Sequence, residues 1–367
     1  MQRSFILSTC GTSLLTFQAK PSVRTILNRT ANKKALELTP EEKQVIDEIV
    51  ALRKKELKDG DVRSGRKMSA EINGLMGFYE GDPNTGTGNT HYFLRSDTYQ
   101  GEMAASLLLG WMKHNDLHSQ EISFSGLSTR DLPNFNSAMS DLVKWCHETL
   151  PGYRKSSYQI VFNLVGGFKS LQGLVQNLGM FYADKSIYIF EGSESLLVLP
   201  RLPVNLEQGF ADTIKNNLSL VRRLSLMDIP SVQCKAIPSV MLFSIDEKST
   251  LSTWGELLLS QFKEKEYSRE AFDPPVEQIE IAQDAKKTLA NATPGQIHNF
   301  NERMDDLARY LATGENINRL DFKKLRGDPM PPCTHEMDIS SGEWRAFGRY
   351  TDQGHFTILS VGKTPLH

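Results

Sequence analysis

The stretch RSFILSTCGTSLLTF, residues 3–17, opens with a short apolar run and then places Ser8, Thr9, Cys10, Gly11, Thr12 and Ser13 before apolar residues resume. That pattern reads as a buried strand, a tight turn and the start of a helix. Small residues after a parallel strand let backbone N–H groups and hydroxyls close around an anion at the head of the next helix, where orphan donors and the dipole favour negative charge. A phosphate is the expected guest. The theme recurs in HYFLRSDTYQGEMAA, with a strand at 91–94 and a helix from about Gly101. It recurs again in YQIVFNLVGGFKSLQGLV, where 159–164 is a buried-type strand and Gly166 and Gly167 permit a tight turn. SIYIFEGSESLLVLP adds two short strands. Strands alternating with helices imply a mostly parallel sheet covered on both faces up to about residue 204. The turns at 8–13, 96–101 and 166–170 are then candidates to line one crevice where the strand order reverses, with Lys169 supplying a full positive charge. GGFKS interposes Phe168 between glycine and lysine, so it is no Walker motif, and no GxGxxG is present.

Composition narrows the class. A chain of 367 residues exceeds an ordinary single core, so several domains are expected. Hydrophobic content of 39% and charged content of 23% describe a water-soluble globular protein, and no apolar stretch is long enough to span a bilayer. The apolar run at 5–7 is too short for a secretory signal, so a cytoplasmic protein without membrane partners is expected. Cys10, Cys146, Cys234 and Cys333 lie far apart with no CxxC pair, which encodes neither a disulfide framework nor a cysteine metal site. A net charge of -2 leaves any nucleic-acid contact to a local patch.

Further along, Thr39 and Pro40 mark the start of a helix beginning LTPEEKQVIDEIV. Residues 205–272 read as a helical middle segment with room for a winged helix-turn-helix. Pro274 and Pro275 mark a boundary near Asp273, so the expected domains are 1–204, 205–272 and 273–367. In the last of these, two helices separated at Pro294 precede a hairpin that turns at 352–354, which is a small α+β module.

STCGTSLLT, RSDTYQGEMAA, VFNLVGGFKS and IYIFEGSESLLVLPRLP together resemble the CARF domain, the CRISPR-associated Rossmann-fold sensor, over residues 1–204. The resemblance implies a homodimer that binds cyclic oligoadenylate, by analogy a ring of four adenosines (cyclic tetra-adenylate), across its two-fold axis. It also implies ligand contacts from Thr9, Gly11, Thr12, Ser13, Asp97, Thr98, Gly101, Gly166, Gly167, Phe168, Lys169 and Ser170. Some such domains also cut the ring.

KLRG, GEWRAFGRY and the terminal ILSVGK resemble, in order and spacing, the RelE family of ribosome-dependent mRNA interferases over 273–367. That resemblance implies metal-independent attack of the ribose 2′-OH on the adjacent phosphate of mRNA in the ribosomal A site, with no cofactor for catalysis. Such a reaction needs a base, an acid and a cation for the phosphorane. Arg345 matches the phosphate-stabilising arginine of that family. Where the family carries lysines, this chain has THEMD. His335 and Glu336 are therefore candidate bases, and His355, Lys363 and His367 candidate acids. Strand alternation puts His335 and Met337 on one face and Glu336 and Asp338 on the other, with His335 slightly preferred. Lys323, Lys324, Arg326 and Arg349 are candidate RNA contacts, although acids slightly outnumber bases across 276–367. The rival readings are a CARF transcription regulator with a degenerate tail and a ring nuclease that removes the signal.

Overall fold

The computed structural model describes residues 2–190, 195–201, 208–325, 330–340 and 344–363. The chain divides into two compact units, 1–205 and 206–367.

In the first unit, strand β1 (Ser4–Thr9) is buried along its whole length. Helices α1 (Ser13–Thr16), α2 (Pro21–Thr30), α3 (Pro40–Asp59), α4 (Val62–Met68) and α5 (Ala70–Phe78) carry the chain to β2 (Thr90–Leu94). Helix α6 (Tyr99–His114), β3 (Ser119–Ile122), α7 (Leu132–Lys155), β4 (Gln159–Asn163), α8 (Lys169–Tyr182), β5 (Lys185–Ile189) and β6 (Leu196–Pro200) complete the unit. The sheet runs β3-β2-β1-β4-β5-β6, and every pairing is parallel except β5 with β6. This is the Rossmann-like α/β arrangement expected. The order reverses between β1 and β4, so the turns leaving their carboxyl ends flank the position where such sheets open a crevice. Local signals account for the helix starts. Thr39 accepts from Glu42 N while the Glu42 carboxylate accepts from Thr39 N, a reciprocal cap with Pro40 at the first helical position. The core joins Ile6 and Leu15 to Ile46, Ile72, Leu75 and Trp111, so the helices between β1 and β2 are packed into the unit rather than looped outside it.

The second unit begins with α9 (Gln208–Asn216), α10 (Leu218–Leu224) and a small sheet in the order β7 (Ile229–Pro230), β9 (Lys248–Leu251), β8 (Leu242–Ile245). Between β7 and β8 lie two single 3₁₀ turns, Ser231–Cys234 and Ser239–Met241. A helix-turn-helix needs a recognition helix long enough to lie in a DNA groove, and neither turn has that length. Helix α11 (Thr253–Glu266) follows, capped by Ser252. Then come β10 (Ile279–Ile281), α12 (Gln283–Ala290), α13 (Pro294–Thr313), β11 (Lys323–Lys324), β12 (His335–Asp338), β13 (Trp344–Tyr350) and β14 (Phe356–Lys363). These strands form a sheet in the order β10-β14-β13-β12-β11, antiparallel apart from β10 with β14. Phe300, Met304 and Leu307 of α13 pack with Met337, Ala346, Ile358 and Val361, which defines the covered face of the sheet.

A buried polar knot ties the helices of this unit together. Arg222, 1% exposed, donates from Nε to Asp305 Oδ1 at 2.6 Å and from Nη1 to the Asp273 carbonyl at 2.6 Å. Lys263 Nζ lies 2.7 Å from Asp305 Oδ2, and the Tyr267 hydroxyl donates to the same oxygen at 2.9 Å. Residues 206–272 are thereby bonded to α13 across the position where the prolines suggest a boundary.

Candidate functional site

At the switch point of the first unit the turns after β1 and β4 abut. A Cβ on Gly11 would lie 2.7 Å from Gly167 N, and one on Gly166 would collide with the Glu71 carboxylate, so neither position admits a side chain. Gly167 takes φ +93, a conformation that costs glycine nothing. Thr9, at the end of β1, donates its hydroxyl to the Gly166 carbonyl at 2.6 Å and locks the two turns together. Gln172 Nε2 donates to the same carbonyl at 2.9 Å.

The donors expected to meet a phosphate are committed inside the chain. Gly11 N donates to Glu71 Oε1 at 2.6 Å, and the Ser13 hydroxyl donates to Glu71 Oε2 at 3.2 Å. The Ser69 hydroxyl reaches Oε2 at 2.7 Å. Glu71, in the first turn of α5, is 1% exposed. Burial pushes its pKa up, and the bonds from Gly11 N, Ser69 and Ser13 offset this only in part. Helix α1 has only four residues and so brings little dipole of its own. The anion at this turn is the chain's own carboxylate.

The turn after β2 is likewise internally satisfied. Thr98 caps α6 by accepting from Gly101 N at 3.1 Å, and its hydroxyl lies 2.9 Å from Ser96 Oγ. A Cβ on Gly101 would lie 2.6 Å from the Ser96 carbonyl. Asp97 Oδ2 accepts from Gly126 N at 2.9 Å and pairs with Lys34 Nζ at 2.8 Å. Burial works against that carboxylate, but Lys34 and Gly126 outweigh it and hold the pKa below the usual value. These three residues shape the turn by holding it. Phe168 precedes α8, with its ring 5.9 Å from that of Phe135, and Lys169 and Ser170 are exposed on the first turn of α8. Among the described residues, Thr12, Lys169 and Ser170 have no side-chain hydrogen-bond or ion-pair partner.

In the second unit, strand pairing sorts the candidates by face. Asp338 is opposite Arg345, and Glu336 is opposite both Phe347 and Lys323, so these side chains share the face away from α13. Arg349, two residues beyond Phe347, shares it too. Arg345 Nη1 donates to Glu336 Oε2 at 2.7 Å. Its Nε stands 3.2 Å from Asp338 Oδ1, close enough to pair but too misaligned for a hydrogen bond. The Glu336 bond is the largest of the influences that raise the Arg345 pKa. Lys323 Nζ is 3.8 Å from Glu336 Oε1.

His335 goes the other way. Its ring stacks on Phe322 at 5.3 Å and meets Tyr350 edge-on at 5.2 Å, and burial followed by the Lys324 charge lowers its pKa. Lys324 is opposite His335, and Lys363 is opposite Trp344, which places both on the face away from Arg345. The structure thus brings Arg345, Glu336, Lys323 and Arg349 to one face and sends His335, Lys324 and Lys363 to the other. His367 and Arg326 lie outside the described residues.

Residues 66–202 match the family model described as CRISPR-associated protein (Cas_APE2256). Over those residues the chain is similar to that CRISPR-associated family. No curated protein matches the chain. The matched span holds α5, the β2–α6 turn and the β4–α8 turn, and it ends before the second unit. Among the described residues no helix is long and apolar enough to cross a membrane, and no three His, Cys, Asp or Glu side chains cluster as metal ligands.

Sequence reasoning passed over Glu71 as a site residue and treated Asp338 only by its face. Glu71 had a legible mark, since it is the one acid in the otherwise apolar and small stretch SAEINGLMGF. A charge in such a run signals a buried partnered group. Asp338 had the strand alternation already stated.

Proposed function

We propose that this protein is a CRISPR-associated, homodimeric endoribonuclease, gated by cyclic oligoadenylate, that cleaves mRNA in the ribosomal A site. The observation that carries the nuclease reading is the Arg345–Glu336 pair on the face of the C-terminal sheet away from α13. A carboxylate 2.7 Å from a guanidinium can take the 2′-hydroxyl proton while the guanidinium faces the phosphate that the oxygen attacks; the 2′,3′-cyclic phosphate forms as the P–O5′ bond breaks, and the departing 5′-oxygen takes its proton from water. Glu336 is the base in this reading and Arg345 the cation that steadies the phosphorane, with Lys323 and Arg349 holding neighbouring phosphates. His335 is set aside because it packs among aromatic rings on the far face. The sensor reading draws on the family match and on Thr12, Lys169 and Ser170, whose side chains stand unpartnered at the switch point. The same groups suit slow cutting of the ring as a second activity. The regulator reading is weakened by the missing recognition helix between β7 and β8.

A ring that activates about a hundredfold must bind the active arrangement more tightly by about 2.7 kcal/mol. The test is a translation extract assayed for mRNA cleavage with rings of four and six adenosines, with and without ribosomes. Cleavage that requires both ring and ribosome is expected, falling at least about a hundredfold in Arg345→Ala with ring affinity unchanged. Cleavage that is unaltered in Arg345→Ala, or indifferent to the ring, overturns the proposal.

A further inference from the structure

The β1–α1 turn has the composition of an anion cradle, yet its donors point at Glu71. The carboxylate accepts from Gly11 N, Ser13 Oγ and Ser69 Oγ, and it fills the space that a side chain on Gly166 would need. All three donors are neutral, and among the described residues no ammonium or guanidinium pairs with this carboxylate. The groups around it can be named element by element. From the turn comes the buried Cys10 thiol, whose own pKa is raised by burial and then by Glu71. Arg95 and Glu121, paired with each other at 3.2 Å, act on the same thiol. From β4 comes Asn163, whose Nδ2 donates to the Glu71 backbone carbonyl at 3.2 Å.

We propose that Glu71 is a resident anion that determines how the crevice reads its ligand: it withholds Gly11 and Ser13 from phosphate, leaves phosphate binding to Lys169 and Ser170, and takes up a proton when a polyanionic ring binds. The inference rests on the cyclic-oligoadenylate reading above. Its physical basis is like-charge proximity. A buried carboxylate without a cationic partner already disfavours its charged form, and a ring carrying one negative charge per phosphate disfavours it further. The bound complex then holds more protons than the free protein between the two pKa values of Glu71, so binding tightens as pH falls through that window and weakens as pH rises. Glu71 acts through the turn and is a specificity residue with no catalytic part.

Calorimetry with cyclic tetra-adenylate in two buffers of different ionisation enthalpy measures the proton uptake directly. The expected result is net uptake by the wild type that vanishes in Glu71→Gln. Ser13→Ala should shift affinity by less than about threefold, whereas Lys169→Ala should weaken it by at least about tenfold. Binding by the wild type without uptake, or uptake that persists in Glu71→Gln, overturns the inference while leaving the sensor reading intact. Should Glu71→Gln fail to fold, the wild-type uptake and the Ser13 and Lys169 comparison decide the matter. Failure of the wild type to bind rings of four or six adenosines overturns the sensor reading, and the inference falls with it.

Discussion

Arg345 stands between two carboxylates, Glu336 and Asp338, and its electrostatics follow from having both. One carboxylate beside a guanidinium can serve as a base, whereas the second mainly competes with substrate phosphate for the same donors. Glu336→Gln and Asp338→Asn should therefore behave in opposite ways. The first removes the base and should cut kcat by about a hundredfold or more. The second frees donors for phosphate and should lower KM by about threefold with kcat retained. Steady-state kinetics on ring-activated protein separates them, and equal losses of kcat in both variants would refute the assignment. The alternation of THEMD already divided these side chains into two faces. Which face α13 covers could not be read from it, because that depends on where Phe300 and Met304 come to rest.

Elements whose ends are written in adjacent residues were legible in advance. Thr39 sits before a helix and caps it, Pro294 opens the second of the two late helices, and the hairpin at 352–354 forms between β13 and β14. Strand β3 was not legible. SQEI has no apolar alternation, and it becomes a strand because β2 offers an unpaired edge at its side. The β2–α6 turn shows why Gly101 is glycine. Its missing side chain lets the helix start press on the Ser96 backbone, so Gly101→Ala should lower stability by roughly 1–3 kcal/mol through overpacking. Urea unfolding measures this, and a variant as stable as the wild type would show that the turn has room after all.

At the scale of the whole molecule, each unit has its own core, and the second is also bound internally by Asp305. Burial alone would raise the Asp305 pKa, but Arg222 and then Lys263 outweigh it and hold it near about 2. The unfolded carboxyl titrates near about 4, so the folded state binds fewer protons between these values. The stabilisation is complete above pH of about 4 and is lost as pH falls toward about 2. Asp305→Ala would leave Arg222 and Lys263 buried without their counter-charge, an arrangement that costs about 3–5 kcal/mol. An unfolding free energy from urea titration at pH 7 that falls by less than about 1 kcal/mol would mean the cations find other partners.

The sequence by itself determined the alternation of strands and helices, the glycine turns after β1 and β4, the helix caps and the opposed faces of β12. Each of these depends on backbone conformation and periodicity over a few neighbouring residues. The tertiary structure alone decided that Glu71 enters the turn containing Gly11, sixty positions away, that Arg345 is held by two acids, and that Arg222 pairs with Asp305 across eighty-three positions. Charges far apart in the chain find partners only when packing brings their surfaces together and removes the water between them, and no local pattern records which surfaces will meet.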